Sequence, residues 1–535
     1  METTSITQKT QTKTLKTWLI LLGAILFNAI FWNEKMAVNA ALFFGFLMFA
    51  MHVNNPHVWK NRYVKILSVS TLLSLAALII NNSQLSQISF VISVILLAAY
   101  SQYNHRSPFY ASGSILQSFI FFIPTFFKNL QLKLAKKGRS SNWLKRMRFV
   151  ILPILISIVF FFTYKMANKV FADVTNKIGV QIGYGLASIA SWIAPERLLF
   201  VLIGLWITGG LLVRYIKAPI EGREALQTND LERKKRIQKN GSPSLANDFK
   251  RFFLGNQALG NMGLKYEYKA GLLCLAILNL ILVFVNISDL LYVWLGFAYN
   301  TDIDWVEYVH SGAEMLVLSI VLAMIVVLFF FRGNLNFFRN KSLLKQIAYV
   351  WIIQNAFLAL SVCMRNYHYV TKMGLTYKRI GVFTYVLLVL IGLFFILQKI
   401  KNKKTGYYLL KANAVAAYVV LVIASFIQWD AAIAKYNLTN KNNITVDVAF
   451  LLSLSDHALP VLVQHQAYLA LPQNEQQSRY YSTYDSAFPS IELQQRINNY
   501  LSESKRYTWL SWNAADAQAL KQLAVYTLPA TSFIK

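Results

Sequence analysis

Ionisable side chains recur at helical spacing in one acidic stretch of an otherwise basic chain. Asp304, Glu307, His310 and Glu314 are three or four residues apart, which places them within about 120° of one another on a helix. Glu314 lies about 6 Å beyond His310 along the axis, past the edge of an apolar segment. Such a stripe could carry protons, bind a cation or help to bind an anionic substrate, because ionisable groups inside a membrane are candidates for function.

Basic residues that could face this acidic stripe lie in the segment 364–379. Arg365 ends one apolar run and Arg379 begins the next, so we expect both near Glu314. The two segments would form either an ion-pair clasp between helices or a binding site, and the sequence leaves both open. The ligand types would suit a metal, but their spacing is not diagnostic, and no motif indicates a cofactor. We therefore assign neither.

A short turn precedes Arg379. Gly374 permits a tight turn, Leu375 follows it, and Thr376 can cap the next helix. The sequence predicts that Arg379 then enters the edge of the membrane on the side of the acidic stripe.

The elements that must position these residues are membrane helices. The chain has 535 residues, of which 56% are hydrophobic and 14% charged, and its mean hydropathy is +0.41. This composition indicates an all-α, polytopic transmembrane bundle. Within it, Gln354 and Asn355, with Asn279, suggest hydrogen bonds between helices. Eleven apolar runs are candidate spans: Trp18–Trp32, Met36–Val53, Val64–Ile80, Ile88–Tyr100, Phe149–Tyr164, Leu198–Val213, Ala270–Leu290, His310–Phe331, Ile347–Cys363, Ile380–Leu397 and Lys411–Ile427.

Charge predicts the orientation. The formal net charge is +30, and the basic residues accumulate in the amino-terminal tail, the turn near residue 60, and the segments 101–148, 214–269, 332–345 and 399–404. Lys and Arg stay on the cytoplasmic side, so we expect a cytoplasmic amino terminus and an external carboxyl terminus. Segment 170–194 is interpreted as an external amphipathic or re-entrant element; if it spans, every later segment changes side.

The basic segment Lys128–Arg148 predicts an amphipathic helix that binds anionic lipid headgroups rather than nucleic acid. Residues 429–535 predict a small external helical domain, which could bind an envelope protein partner. Asp456 and His457 are adjacent and so point apart on a helix, which argues against a catalytic pair. The predicted divisions are 1–110, 111–148, 149–213, 214–269, 270–428 and 429–535.

The segment "YVHSGAEMLVLSIVLAMIVVLFFFR", the turn "MGLTYKRIGV" and the tail pieces "DVAFLLSLSDHALPVLV" and "WLSWNAADAQALKQL" resemble a family of uncharacterised bacterial polytopic membrane proteins, the DUF4173-like family. The resemblance covers roughly residues 270–523, with Gly-Leu-Thr-x-x-Arg as its most specific part; Lys372 and Met373 stand where a tyrosine before Gly374 is expected. It implies a bacterial cytoplasmic membrane and supplies no activity.

Three functions fit these observations. We expect an envelope-associated scaffold or sensor first, an ion-coupled transporter or permease second, and a membrane-embedded enzyme acting on an envelope precursor third. No inverted repeat favours the transporter, and no general acid or nucleophile favours the enzyme.

Overall fold

A computed structural model describes residues 17–128, 163–175, 195–215, 219–233, 261–295, 313–331, 334–338, 342–469 and 489–524, with a few positions between 153 and 161 and at 177. These residues are helices and their connections, and they contain no strand beyond an isolated bridge between Asp230 and Lys404. The predicted all-α class is confirmed for this part of the chain.

The described residues form two compact units. The first contains 17–106, 110–225 and 505–514, and the second contains 107–109, 226–504 and 515–524. The helices of the first unit are α1 (Thr17–Phe31), α2 (Val38–Asn54), α3 (Arg62–Asn81), α4 (Gln84–Gln102), α5 (Pro108–Ile120), α6 (Pro195–Leu212) and α7 (Pro219–Ala225), with short 3-10 turns at Pro56–Lys60 and Trp509–Ser511. The helices of the second are α8 (Asn261–Asp289), α9 (Ala313–Phe330), α10 (Ser342–Met373), α11 (Tyr377–Lys401), α12 (Gly406–Ala424), α13 (Trp429–Thr439), α14 (Val448–Ser453), α15 (Leu459–Gln464), α16 (Gln466–Leu469), α17 (Pro489–Ser504) and α18 (Ala514–Ala524).

Within the described part of the chain, six helical segments are long and apolar enough to cross a membrane: Arg62–Asn81, Gln84–Gln102, Lys265–Leu295, Ser342–Met373, Tyr377–Lys401 and Gly406–Ala424. The pair Pro108–Ile120 and Phe122–Lys128, bent by 69°, makes a seventh if it is one span. The sequence predicted eleven. Three further runs are shorter apolar helices, below the roughly 20 residues that a span needs: Trp18–Phe31, Val38–Asn54 and Leu318–Phe330. The run 198–213 is α6, and most of 149–164 lies outside the described residues.

Small polar residues hold α3 against α4. The hydroxyls of Ser74 and Ser93 are 2.9 Å apart, and both residues are buried. Asn82 takes a left-handed conformation at the end of α3, and Ser83 caps α4 by accepting from the amide of Ser86. Small side chains let two membrane helices approach closely, so the two runs form a tight helical hairpin.

Gln354 of α10 joins that helix to α8. Its amide donates to Asn279 Oδ1 over 2.8 Å, and Asn286 Nδ2 donates to the Gln354 carbonyl over 3.2 Å. The predicted interhelical hydrogen bonding is confirmed for this pair, whereas Asn355 bonds to Trp351 of its own helix. Around these bonds α8, α9, α10 and α11 share one hydrophobic core.

The tail helices α13 to α18 have a core of their own, built from buried side chains such as Leu451, Leu459 and Leu462. Leu375 and Ile380, from the start of α11, pack against that core. The tail helices therefore lie on the connection between α10 and α11.

Candidate functional site

An ion pair between Asp289 and Arg365 joins α8 to α10. The predicted orientation places these ends of the two helices on the outer side. The Asp289 side chain is 4% exposed and the Arg365 side chain 15% exposed. Asp289 Oδ2 is buried and has no hydrogen-bond partner among the described residues. Opposite charges meet here in a poorly solvated place, so loss of Arg365 leaves the buried Asp289 carboxylate without its ion-pair partner.

The predicted acidic stripe itself, to which Asp289 does not belong, contributes no described side chain. Asp304, Glu307 and His310 lie outside the described residues, and Glu314 belongs to the first turn of α9 with its side chain outside them. The pairing of Glu314 with Arg365 or Arg379 therefore stays a prediction.

The predicted turn at Gly374 is present. Gly374 has φ +80°, which only glycine adopts without strain, and it ends α10. Thr376 occupies the N-cap position of α11, but its side chain makes no capping hydrogen bond, so that expectation was wrong. The backbone, rather than the threonine hydroxyl, fixes this turn.

Arg379 stabilises the same turn from one helical turn into α11. Its Nη1 donates to the carbonyl of Met373 over 2.7 Å and also to that of Gly374. Its guanidinium lies over the ring of Tyr369, 4.1 Å from the centroid, and its own carbonyl accepts from Asn366 Nδ2 over 2.9 Å. The guanidinium thus satisfies carbonyls that the end of α10 leaves unpaired.

Asn437 of α13 closes the turn from the tail. Its Oδ1 accepts from the Leu375 amide over 2.6 Å, and its Nδ2 donates to the Leu375 carbonyl over 3.0 Å. The side chain therefore pairs with Leu375 as a second strand would, and we call this pair of bonds the Asn437 clamp. Sequence reasoning missed Asn437, because the residue lies 62 positions from its partner and belongs to no motif that indicates this contact.

The tail also forms a cavity of about 420 Å³ that is open to solvent on one side and lined by both polar and apolar residues. The cavity lies between α13, the segment 457–465 and α18. Its lining residues are Gln428, Ala431, Lys435, Thr439, His457, Pro460, Val461, Gln464, His465, Ala515, Gln518, Ala519 and Gln522.

A hydrogen-bonded network fixes one wall of this cavity. Asp516 Oδ1 accepts from Tyr500 over 2.9 Å and lies 3.0 Å from His457 Nε2. Asp456 instead pairs with Arg496 at 2.9 Å, so the prediction that Asp456 and His457 point apart is confirmed. Burial, reinforced by the Asp516 charge, raises the pKa of Tyr500, which keeps its phenol protonated as the donor.

A second buried constellation lies in the first unit and was also missed. Ser114 Oγ is 2.8 Å from His105 Nε2, and His105 Nδ1 is 2.5 Å from Glu224 Oε2. Glu224 also accepts from the Arg106 amide over 3.1 Å. The order hydroxyl, imidazole, carboxylate is that of a hydrolase triad, but all three residues are at most 2% exposed. A sealed hydroxyl reaches no substrate, so this arrangement structurally joins the connection between α4 and α5, which carries His105, to α5 and α7.

Comparisons with known proteins give one match. A family model described as "Domain of unknown function (DUF4153)" matches residues 67–465. The resemblance drawn from the sequence was to a DUF4173-like family, so the match confirms a family of the same uncharacterised kind, with a different number. No curated protein and no solved structure matches the chain.

Proposed function

Because the chain belongs to the family described as a domain of unknown function (DUF4153), we propose a role for it from its own geometry: an envelope-associated sensor or scaffold, anchored in the membrane by several helices, whose tail controls the turn between α10 and α11. The Asn437 clamp is the observation that carries this proposal. It makes the tail helices and two membrane-spanning helices parts of one packed structure, so a change in the tail bears directly on the helix pair.

We further propose that the protein resides in a bacterial cytoplasmic membrane with eleven spans, its amino terminus inside and its tail outside. Contacts between described residues within each unit are consistent with this arrangement, because they join segments that are predicted on the same side. On the predicted inner side, Glu224 meets His105, and the backbone of Leu231 bonds to that of Lys403. On the predicted outer side, Glu34 accepts from Thr508 over 2.7 Å.

In this arrangement the basic segment 128–148 would bind anionic headgroups at the inner surface. The tail surface would be available to an envelope protein partner on the other side of the membrane.

The alternatives have less support. A transporter needs a route to the midplane, yet the space between α9, α10 and α11 around Asn355 has no room for a water molecule. An enzyme needs an accessible nucleophile or general acid, and the Ser114 constellation is sealed. Among the described residues, the open cavity of the tail therefore favours a sensor over either alternative.

The orientation can be tested with single cysteines in a Cys274→Ala, Cys363→Ala background. Glu503→Cys on α17 should react with a membrane-impermeant maleimide in intact cells, whereas Lys401→Cys at the end of α11 should react only after lysis. The reverse pattern would invert the proposed topology.

Coupling can be tested with an environment-sensitive fluorophore on Lys378→Cys, an exposed position in the first turn of α11. Overpacking the tail core with Ala458→Leu, at a buried position that does not line the tail cavity, should shift the emission. Asn437→Ala should abolish that shift, and Asn440→Ala, at the C-cap of the same helix, should preserve it. A probe that ignores Ala458→Leu, or responds equally without Asn437, would refute coupling through the clamp.

A further inference from the structure

We propose that the tail cavity is a binding site for a small hydroxy acid or sugar acid, a ligand that carries a carboxylate and several hydroxyl groups. The inference rests on the proposed sensor role, for which it names the class of ligand. It is argued from the way the cavity is built, its charge and its hydrogen-bonding groups.

The cavity results from small residues on helix faces that would otherwise pack together. Ala431 of α13 faces it, as do Ala515 and Ala519 of α18. Ala515 and Ala519 are one helical turn apart, so both line the same face of α18. The volume of about 420 Å³ lies within the range of small-molecule sites, roughly 300–1,000 Å³, and is larger than one inorganic anion needs.

The charge of the lining favours an anion. Lys435, an exposed residue of α13, is among the thirteen lining residues, and none of them is Asp or Glu. The acid closest in the network, Asp516, lies behind His457 and accepts hydrogen bonds from Tyr500 and His457. A carboxylate in the cavity would therefore meet a positive charge with no carboxylate among the lining residues.

The remaining polar groups favour hydroxyls beside that carboxylate. Four glutamines, Gln428, Gln464, Gln518 and Gln522, each present two N–H donors and one carbonyl acceptor, and Thr439 adds a hydroxyl. A ligand with hydroxyl groups can both donate to and accept from such side chains.

The two imidazoles are oriented by the protein. His465 Nδ1 lies 3.0 Å from the Val461 carbonyl, which can only accept, so Nδ1 carries the proton and Nε2 is left for a ligand. His457 uses Nε2 towards Asp516, which leaves its Nδ1. Ring nitrogens held in this way can accept from ligand hydroxyls at fixed positions.

The test is isothermal titration of the full-length protein in detergent with D-glucuronate, D-gluconate and citrate as probes. D-glucose serves as the uncharged probe, and inorganic phosphate as the small anion. We expect at least one of the three carboxylates to bind with Kd below about 1 mM, and glucose and phosphate to bind at least tenfold more weakly.

Three variants decide whether that binding occurs in the cavity. Lys435→Met, which removes the ammonium group, and Ala431→Phe, which fills the space, should each weaken binding of the carboxylate at least tenfold. Lys521→Met is the matched control, because Lys521 is exposed on α18 and does not line the cavity; it should leave Kd unchanged within twofold.

Failure of all three carboxylates to bind, or equal binding of glucose, would overturn the inference. A Kd that neither Lys435→Met nor Ala431→Phe changes would also overturn it. The fluorescence experiment on Lys378→Cys needs no ligand, so it can succeed when titration fails, which would reject the ligand class alone. Binding without coupling would instead reject the sensor role.

Discussion

Replacing Gly374 with alanine, alone and together with Asn437→Ala, tests the clamp quantitatively. Gly374 has φ +80°, a conformation that costs a residue with a side chain about 1–2 kcal/mol. A Cβ built there would lie 2.7 Å from Asn437 Oδ1, closer than real Cβ atoms come to an oxygen. Asn437 is held by two hydrogen bonds and cannot yield, so the contact should add about 1–2 kcal/mol.

Asn437→Ala removes the partner of both backbone groups of Leu375. Each group left without a partner costs about 1–3 kcal/mol, so we expect about 2–6 kcal/mol in total for this variant. The double variant keeps the backbone strain at position 374 and loses the contact with Asn437. Its effect should therefore be smaller than the sum of the single effects by about 1–2 kcal/mol.

Native-state hydrogen exchange at the Ile380 amide, which donates to the Thr376 carbonyl in every variant, measures the local stability of this turn, because about 1.4 kcal/mol corresponds to a tenfold change in exchange rate. Gly381→Ala is the matched control: it lies in α11, a Cβ there meets nothing within 4 Å, and alanine favours the helix. If the losses of stability in the two single variants add up to the loss in the double variant, or if the double variant loses more than their sum, Gly374 and Asn437 do not act through one contact.

Three further outcomes follow from the described contacts. Arg365→Met should lower stability by about 3–5 kcal/mol, because it leaves Asp289 buried and unpaired, and adding Asp289→Leu should restore most of that stability. Thermal unfolding in detergent measures both effects, and an equal loss in the single and the double variant would contradict the ion-pair account. Glu34→Ala should cost about 1–3 kcal/mol and speed proteolysis near Thr508, whose amide and hydroxyl both donate to that carboxylate; an unchanged cleavage rate would mean that other contacts hold the segment. The folded state raises the pKa of Tyr500 above its unfolded value of about 10, so the contribution of its phenol to the free energy of unfolding should be complete below about pH 10 and be lost as the pH rises further. Tyr500→Phe should therefore flatten the pH dependence of stability above about pH 10. Parallel pH profiles for the two proteins would argue against the Asp516 contact.

The accuracy of the sequence predictions depended on how local each cause was. The turn at Gly374 was predicted correctly, because a glycine between two apolar runs indicates a turn whatever the distant residues are. The bond between Gln354 and Asn279 was also predictable in kind, because amides within membrane helices need partners there. Thr376 was predicted to cap α11 and does not, since the hydrogen bonds at this turn come from Arg379 and Asn437 instead.

The amino-acid sequence by itself determined that this chain is helical and suited to a membrane, because hydropathy and helical period are properties of neighbouring residues. Only the tertiary structure decided which polar groups meet. His105 and Glu224 are 119 positions apart, and Leu375 and Asn437 are 62 apart, so no local pattern records either contact. Their pairing follows from the packing of whole helices, which brings remote backbone and side-chain groups together where water is excluded and each must find a partner.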